Sequence, residues 1–543
     1  MFGAGGGTSS YKEIEDTDVI ILWGSNARET HPIFFHHVLA GVRNGAKLVV
    51  VDPRRTSSAQ WADIFLGIDV GTDITLSNAM AREIIHSGLQ NSTFIERATS
   101  GYNEFAASVE PFTLDLAERV CKVPADHIAE AAHIFASRDR AEICWTLGIT
   151  EHHNAVDNVL ALINLGLLCG HVGRWGSGLN PLRGQNNVQG GGDMGAIPNK
   201  LPGFQDVTDD AARSKFERAW GATIPAVPGK HLSQMFEAMD SGELRHLYVV
   251  GENPAQSEAD TVKTERLLKG LHTLIVQDIS LTATAKLADV VLPATVSSYE
   301  GEGTVTNSER RVQRIRPALS PPVGAKDDVW IVCELARRLG HDWGQPSAME
   351  IWDELRSLSF MHAGMSYARL EALGGIQWPC YDEDHPGEAF LHSRLWAEPL
   401  IGPRAPFHAV TPEPPVDPLD DSYPIRLTTG RRLDSYNTGV QSAVFSSPLK
   451  RGEWIALSPE DAAQLELSEG EKVKVASRRG ALETVVHVDR SLRKGLAFMT
   501  LHFQDEVRTN DLTTDSWDPK SGTAEFKATA IRIEKLKGAL ASG

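Results

Sequence analysis

One arginine stands in the stretch of chain richest in glycine and amide side chains, "NPLRGQNNVQGGGDMG" from Asn180 to Gly195. Glycine lets backbone approach a ligand closely and present bare N–H groups, while Asn and Gln supply fixed donors and acceptors. Such a loop is suited to holding something polar. A guanidinium is a rigid fork that matches a carboxylate through two parallel hydrogen bonds, so Arg183 is a candidate anchor for a small carboxylate substrate. The same composition also describes a turn-rich loop whose arginine caps a helix.

Two other segments carry nucleotide-like features. In "DVIILWGSNARETHP" an apolar run ends in Gly24, Ser25 and Asn26, and a helix begins near Pro32. A strand, a glycine, a polar turn and a helix N-terminus together hold pyrophosphate on free amides. Further on, "VDPRR" places Asp52 and Arg54 just past the next strand, where an acid meets a ribose hydroxyl or base edge, or else caps the following turn. The design returns at "LRHLYVVGENP", with Gly251, Glu252, Asn253 and Pro254 after the strand. Two related nucleotide-sized sites are expected. A GxGxxG fingerprint is missing from both, and "FGAGGGTSSY" lacks the Lys-Ser/Thr ending of a phosphate loop. An ordinary nicotinamide-dependent dehydrogenase is therefore not supported. The histidines at 31, 36, 37, 152 and 153 contain no HxxxH pairing with a carboxylate, so no metal site is assigned to them.

The elements that must position these residues alternate short apolar runs with amphipathic stretches, as βαβ units on a parallel sheet do. "DVIILWG" reads as a buried strand, "HPIFFHHVLAGVRNG" as a helix closed by Gly45, and "AKLVVVDP" as the next strand. Helices are expected near Ile74–Ser87 and Asn154–Cys169, with a strand in "AEICWTLGI" between them. The proline-rich segment "LIGPRAPFHAVTPEPPVDPLDDSY" suits a linker wrapped on the surface, and the short β-rich pieces after it suit a barrel. The fold class expected is α/β and multidomain: 1–185 a first α/β domain, 186–400 a second with inserted segments, 401–423 the linker, and 424–543 a C-terminal β-barrel.

A net charge of −18 disfavours nucleic acid and anionic membrane surfaces. No apolar run approaches the roughly 20 residues of a membrane span, and no signal peptide follows Met1. The five cysteines share no CxxC spacing, which argues against a zinc or iron–sulfur site here and for reduced thiols in the cytoplasm.

In order along the chain, "GAGGGTSSYKEIEDTDVIILWGSNARETHPI", "NGAKLVVVDPR", "NPLRGQNNVQGGGDMG", "GENPAQSE", "QDISLTATAKLADVVLPA", "EGEGTVTNSERRVQ", "IQWPC" and "DEVRTNDLTTDSWDPKSGTAEFK" resemble the molybdopterin oxidoreductase family. Within it they are most similar to formate dehydrogenase catalytic subunits. The resemblance implies molybdenum or tungsten held by two molybdopterin guanine dinucleotides. One would lie on the first unit, at Gly24, Asn26, His31, Asp52, Arg54, Asp73, Leu147 and Gly148. The other would lie on the second unit and the barrel, at Gly251, Asn253, Gln277, Asp278, Gly430, Arg431, Asn510 and Lys527.

Arg183 would hold formate beside the metal, Gln185 would sit against the cofactor, and electrons would pass to iron–sulfur, flavin or other acceptor subunits as formate becomes carbon dioxide. The family's metal-binding cysteine or selenocysteine, its neighbouring histidine and a four-cysteine [4Fe–4S] site lie upstream of the matched segments. The chain is therefore expected to be truncated at its amino end, through a selenocysteine codon read as a stop, with a frameshift or a natural two-piece enzyme as the alternatives. "GRRLDSYNTG" carries Ser435 where the family has histidine. The alternative to a working enzyme is an inactive fragment or scaffold that binds the pterin without turnover.

Overall fold

The computed structural model describes residues 2–3, 5–433, 435, 437–438 and 452–536. Met1 and three residues of the "GRRLDSYNTG" segment, Asp434, Tyr436 and Gly439, lie outside them.

The first unit is built on five parallel strands in the order Ile64–Leu66, Lys47–Val51, Val19–Trp23, Ala141–Trp145, Gly178–Pro181. All five residues of Val19–Trp23 are buried, as a strand covered on both faces requires. Side chains alternate across the sheet. Val19, Ile21 and Trp23 enter one hydrophobic cluster, whereas Ile20 and Leu22 enter another with Phe34, Phe35 and Val38 of the helix Pro32–Arg43. Chain order runs outward in both directions from Val19–Trp23. That strand and Ala141–Trp145 therefore flank the switch point, where α/β sheets open a crevice at their carboxyl ends. The expected helices are Asp73–His86 and Ala155–Cys169.

The second unit has three parallel strands in the order Val290–Pro293, Thr273–Asp278, His246–Val250. It repeats the first unit bond for bond. Gly24 N–H donates to Val51 O at 2.8 Å and Gly251 N–H to Gln277 O at 2.8 Å. The Asp63 carboxylate accepts from Leu48 N–H at 2.9 Å, and the Asp289 carboxylate from Leu274 N–H at 2.8 Å. One face carries a hydrophobic cluster that includes Met239 and the helix residues Leu267 and Leu268. On the other face Tyr248, Val250 and Val290 stay exposed.

The hairpin Gly303–Thr306 and Arg311–Ile315 adds Ile376–Gln377 and carries a separate core around Trp352 and Trp378. Segment 401–423 is pinned rather than loose. Ala405 and Phe407 enter the core of the first unit, and Ala405–Pro406 pairs with Thr99–Ser100. Asp417 is buried and ion-paired with Arg478 and Arg479 of the last module.

That module is a closed six-stranded barrel in the order Ile425–Gly430, Leu496–Thr500, Trp454–Leu457, Ala481–Val488, Lys472–Ala476, Thr529–Lys535. Leu427, Ile455, Val473, Val475, Met499 and Ile531 fill it. Closure leaves no strand edge to aggregate. Among the described residues no helix is long and apolar enough to cross a membrane.

Candidate functional site

A cavity of about 800 Å³ opens where the carboxyl ends of the two sheets meet the barrel. The first unit lines it with Gly24, Asn26, His31, Asp52, Arg54, Asp73, Leu147 and Gly148. Gly251, Asn253, Gln277 and Asp278 come from the second unit, and Gly430, Arg431 and Lys527 from the barrel.

The switch point is tight. Gly24 has φ +56°, and a Cβ there would lie 2.8 Å from the Gly148 carbonyl carbon. A Cβ on Gly148 would lie 2.5 Å from Gly24 O. Only two glycines let these strand ends cross, and Gly148 N–H (3.2 Å) and the Thr146 hydroxyl (2.7 Å) both donate to Gly24 O.

The two asparagines brace their turns. Asn26 Oδ1 accepts from the Ser58 hydroxyl at 2.9 Å, and Asn253 Oδ1 from the Thr284 hydroxyl at 2.8 Å. Their backbone carbonyls accept from the following turn, at Glu29 and Thr30 in one unit and at Gln256 and Ser257 in the other. Asp52 and Asp278 each accept a backbone N–H two residues on, at 2.9 and 3.0 Å, so each closes its turn, and each also lines the cavity. Burial pushes the Asp52 carboxyl up to about 6, against the pull of Arg54. Asp73 is also raised by burial, although His152 and a 2.8 Å bond from Trp23 Nε1 oppose the shift.

The barrel supplies cations and clamps. The Arg54 guanidinium lies 3.6 Å from the ring centre of Phe498, and Gly430 leaves room for that ring, since a Cβ there would approach it to 2.9 Å. Arg431 is hydrogen-bonded to Asn437, and Lys527 Nζ bonds Thr429 O at 3.1 Å and Glu151 at 2.6 Å. Gln277, fully buried, donates to Asp328.

His152 lies between Gly148 O and the buried Glu525 carboxylate, at 3.2 and 3.3 Å. Burial alone would lower this imidazole, but Glu525 more than offsets it and the pKa is raised. Glu525, which burial would raise, is held well below the usual carboxylate range by the two neighbouring histidines.

Two expected residues do not reach the cavity wall. Asn510, fully buried, donates to Gln256 O and Ser257 O at 3.3 and 3.0 Å and so ties the barrel to the second unit. Arg183 is not among the lining residues, whereas the next two, Gly184 and Gln185, are. Its carbonyl is bound by His31 Nε2 at 2.6 Å and its N–H donates to the Ser308 hydroxyl at 2.9 Å. Burial lowers the pKa of His31; neutral, it donates to Arg183 O through Nε2 and accepts from Thr30 through Nδ1 at 2.8 Å.

Residues 4–338 match the molybdopterin oxidoreductase family, and residues 425–530 match the molydopterin dinucleotide binding domain. The chain belongs to the molybdopterin oxidoreductase family. It is 39% identical to the F420-dependent formate dehydrogenase 2 subunit alpha of Methanococcus maripaludis, over 98% of this chain and 79% of that protein. It is 36% identical to formate dehydrogenase H of Escherichia coli, over 98% of this chain and 75% of the other. The fold is shared with acetylene hydratase from Pelobacter acetylenicus at a TM-score of 0.73 and 19% identity, covering 98% of this chain and 79% of that one. This molybdopterin oxidoreductase is thus an oxidoreductase whose cofactor is molybdenum or tungsten bis-molybdopterin guanine dinucleotide.

The cavity of this molybdopterin oxidoreductase fits such a group. Arg54, Arg431 and Lys527 suit diphosphates, whereas Asp52, Asp73 and Asp278 accept from amino, ring N–H and hydroxyl groups. The buried Thr295 hydroxyl lines the cavity without a hydrogen-bond partner among the described residues, as a group meant for a ligand does. Among the described residues no group of three or more His, Cys, Asp or Glu side chains could hold a metal ion. Ser435 is buried.

Sequence reasoning weighed His152 only as a metal ligand and missed Glu525, Ser308, Gln189 and Asp193. A signal existed for the last two alone. Val188–Asp193 is a short helix inside the glycine-rich stretch, so positions 189 and 193 share a face.

Proposed function

We propose that this chain is the catalytic subunit of a formate dehydrogenase, removing two electrons and one proton from formate to leave carbon dioxide. The observation that supports it best is the Arg183 to Gln185 loop, seated by His31 and Ser308 at the edge of a cavity between two matched strand-end turns. One dinucleotide lies against Gly24, Asp52, Arg54 and Gly148, the other against Gly251, Asp278, Arg431 and Lys527. The bound cofactor supplies the two-electron chemistry.

The chain's own task is to hold and orient. Arg183 fixes the carboxylate so that its C–H faces the reacting centre, and the positive charge stays with the substrate as it reacts. Electrons leave to separate electron-transfer subunits. The five free, buried thiols suit a reducing compartment, the cytoplasm.

Protein loaded with metal and pterin is the material for the test, with a viologen dye as acceptor. Formate-dependent reduction is expected, and Arg183→Lys should raise KM for formate about 10- to 100-fold by losing the fork and a charge-assisted hydrogen bond. Loaded protein that binds the pterin yet never oxidises formate refutes the proposal and supports the scaffold reading.

A further inference from the structure

We propose that Gln189 and Asp193 are positioning residues for Arg183, a fixed hydrogen-bond relay that turns the free edge of its guanidinium toward the carboxylate of the substrate. The inference rests on Arg183 being the carboxylate anchor.

The relay is directional. Gln189 Oε1 accepts from Arg183 Nε at 3.1 Å, and Gln189 Nε2 donates to Asp193 Oδ1 at 2.8 Å. A carboxamide has one accepting and one donating end, so whatever fixes one end decides the other. Asp193 fixes it. Both carboxylate oxygens are occupied as acceptors, Oδ1 by Gln189 and Oδ2 by Trp378 Nε1 at 2.8 Å. With Asp193 able only to accept, the donor end of Gln189 must face it, and the acceptor end must face Arg183. Gln189, Asp193 and Trp378 are each 1% exposed, so water cannot replace a lost partner.

A second anchor acts on the same edge of the guanidinium. Gly5 O accepts from Arg183 Nη2 at 2.9 Å and from Gln189 Nε2 at 3.1 Å. Gly5 packs closely there, since a Cβ on it would lie 2.5 Å from the Phe204 ring. Arg310, fully buried, holds the neighbouring backbone by donating to Gly7 O at 2.7 Å, Glu388 O at 3.0 Å and Ala389 O at 2.7 Å. Nε–H and one of the two N–H bonds of Nη2 are therefore spent on the support of Arg183. Nη1 has no hydrogen-bond partner among the described residues, and the edge that carries both terminal nitrogens remains for a two-point grip on a carboxylate.

The loop's composition follows from this task. A Cβ on Gly190 would collide with Asn187 Oδ1, the atom that accepts from Thr306 N–H at 3.0 Å, so glycine is what lets the helix carrying Gln189 and Asp193 pack against the hairpin.

The test exchanges donors for acceptors. In Asp193→Asn an N–H must face either Trp378 or Gln189, and in Gln189→Glu a carboxylate must face Asp193. Each single variant is expected to raise KM for formate at least tenfold, with a smaller change in kcat. Each should also speed phenylglyoxal modification of Arg183, followed by mass spectrometry. The double variant Gln189→Glu/Asp193→Asn restores complementarity along the line from Arg183 to Trp378, because the carboxylate placed at position 189 would accept from Arg183 and from the amide placed at position 193, while that amide's oxygen accepts from Trp378; Gly5 O loses the donor that Gln189 Nε2 supplied, so the recovery expected is partial. It should bring both readouts back toward wild type.

Single variants that lower the melting temperature but leave the modification rate of Arg183 unchanged would overturn the proposal, as would a double variant as reactive as the singles. The anchor reading fails separately. If Arg183→Lys leaves KM for formate unchanged, Arg183 is not the carboxylate anchor, whatever the modification rates say of the relay.

Discussion

Gly148→Ala strikes the point where the two halves of the first sheet cross at the cavity. The added Cβ would sit 2.5 Å from Gly24 O and 2.7 Å from Gly24 Cα, both backbone atoms with no side-chain freedom to yield. Reaching even 3.0 Å requires the strand ends to part by about 0.5 Å. Overpacking of this kind costs about 1–3 kcal/mol, and weakening the two bonds to Gly24 O adds on the order of 1 kcal/mol.

At 2–4 °C per kcal/mol for a cooperative unit of 150–250 residues, the melting temperature should fall by about 5–10 °C. Pterin retained per chain, read by the fluorescence of its oxidised form, should fall as well. Gly184→Ala is the control. It lines the same cavity, and its Cβ would meet nothing within 4 Å, so its melting temperature should stay near that of wild type. Scanning fluorimetry on both variants decides the matter: a Gly148→Ala protein melting within about 1 °C of wild type, with its pterin content intact, would refute the close-contact reasoning.

Glu525→Gln removes the carboxylate that raises the His152 imidazole across the junction between the first unit and the barrel. Because the imidazole is raised in the folded state, its contribution is full below its unfolded value near 6.5 and is lost as pH rises through the raised folded value. Melting curves from pH 6 to 9 should show a falling stability in wild type that flattens in the variant, with a loss of about 3 kcal/mol on the acid side; parallel curves would contradict it. Asp52, raised to about 6 by burial, should lose its accepting charge as pH drops through that value. Guanine nucleotide binding to pterin-free protein should weaken from pH 7 to pH 5 in wild type, and the step should vanish in Asp52→Asn. A step that persists in the variant would place its origin elsewhere.

Much of the architecture could be read from local pattern. The apolar runs of Val19–Trp23 and Lys47–Val51 are wholly or almost wholly buried, and Gly24 and Gly251 take the left-handed turns where strand gives way to polar turn. The helices Asp73–His86 and Ala155–Cys169 fall within a residue or so of expectation. The C-terminal barrel was expected and is present, but its strand order was not legible, since short β-rich pieces do not reveal which strands pair. Asn510, expected at the cofactor, does not line the cavity and ties the barrel to the second unit, a partnership no local pattern reveals. The glycine-rich stretch read as an open loop, yet it contains a helix because close packing against Asn187 and the hairpin outweighs the low helix propensity of glycine.

The sequence by itself determined which residue types were available: a lone arginine among amides, acids after strands, and glycines where backbone must turn or cross. Those are local requirements, written in a few neighbouring positions. Only the tertiary structure decided that the two strand-end turns face one cavity, that His152 meets Glu525 across the junction of the first unit and the barrel, and that Arg183 is held by Gly5 and by Gln189, itself fixed by Asp193. Direction and partnership depend on contacts between residues far apart in the chain, and these exist only once burial has set the sheets, the hairpin and the barrel against one another.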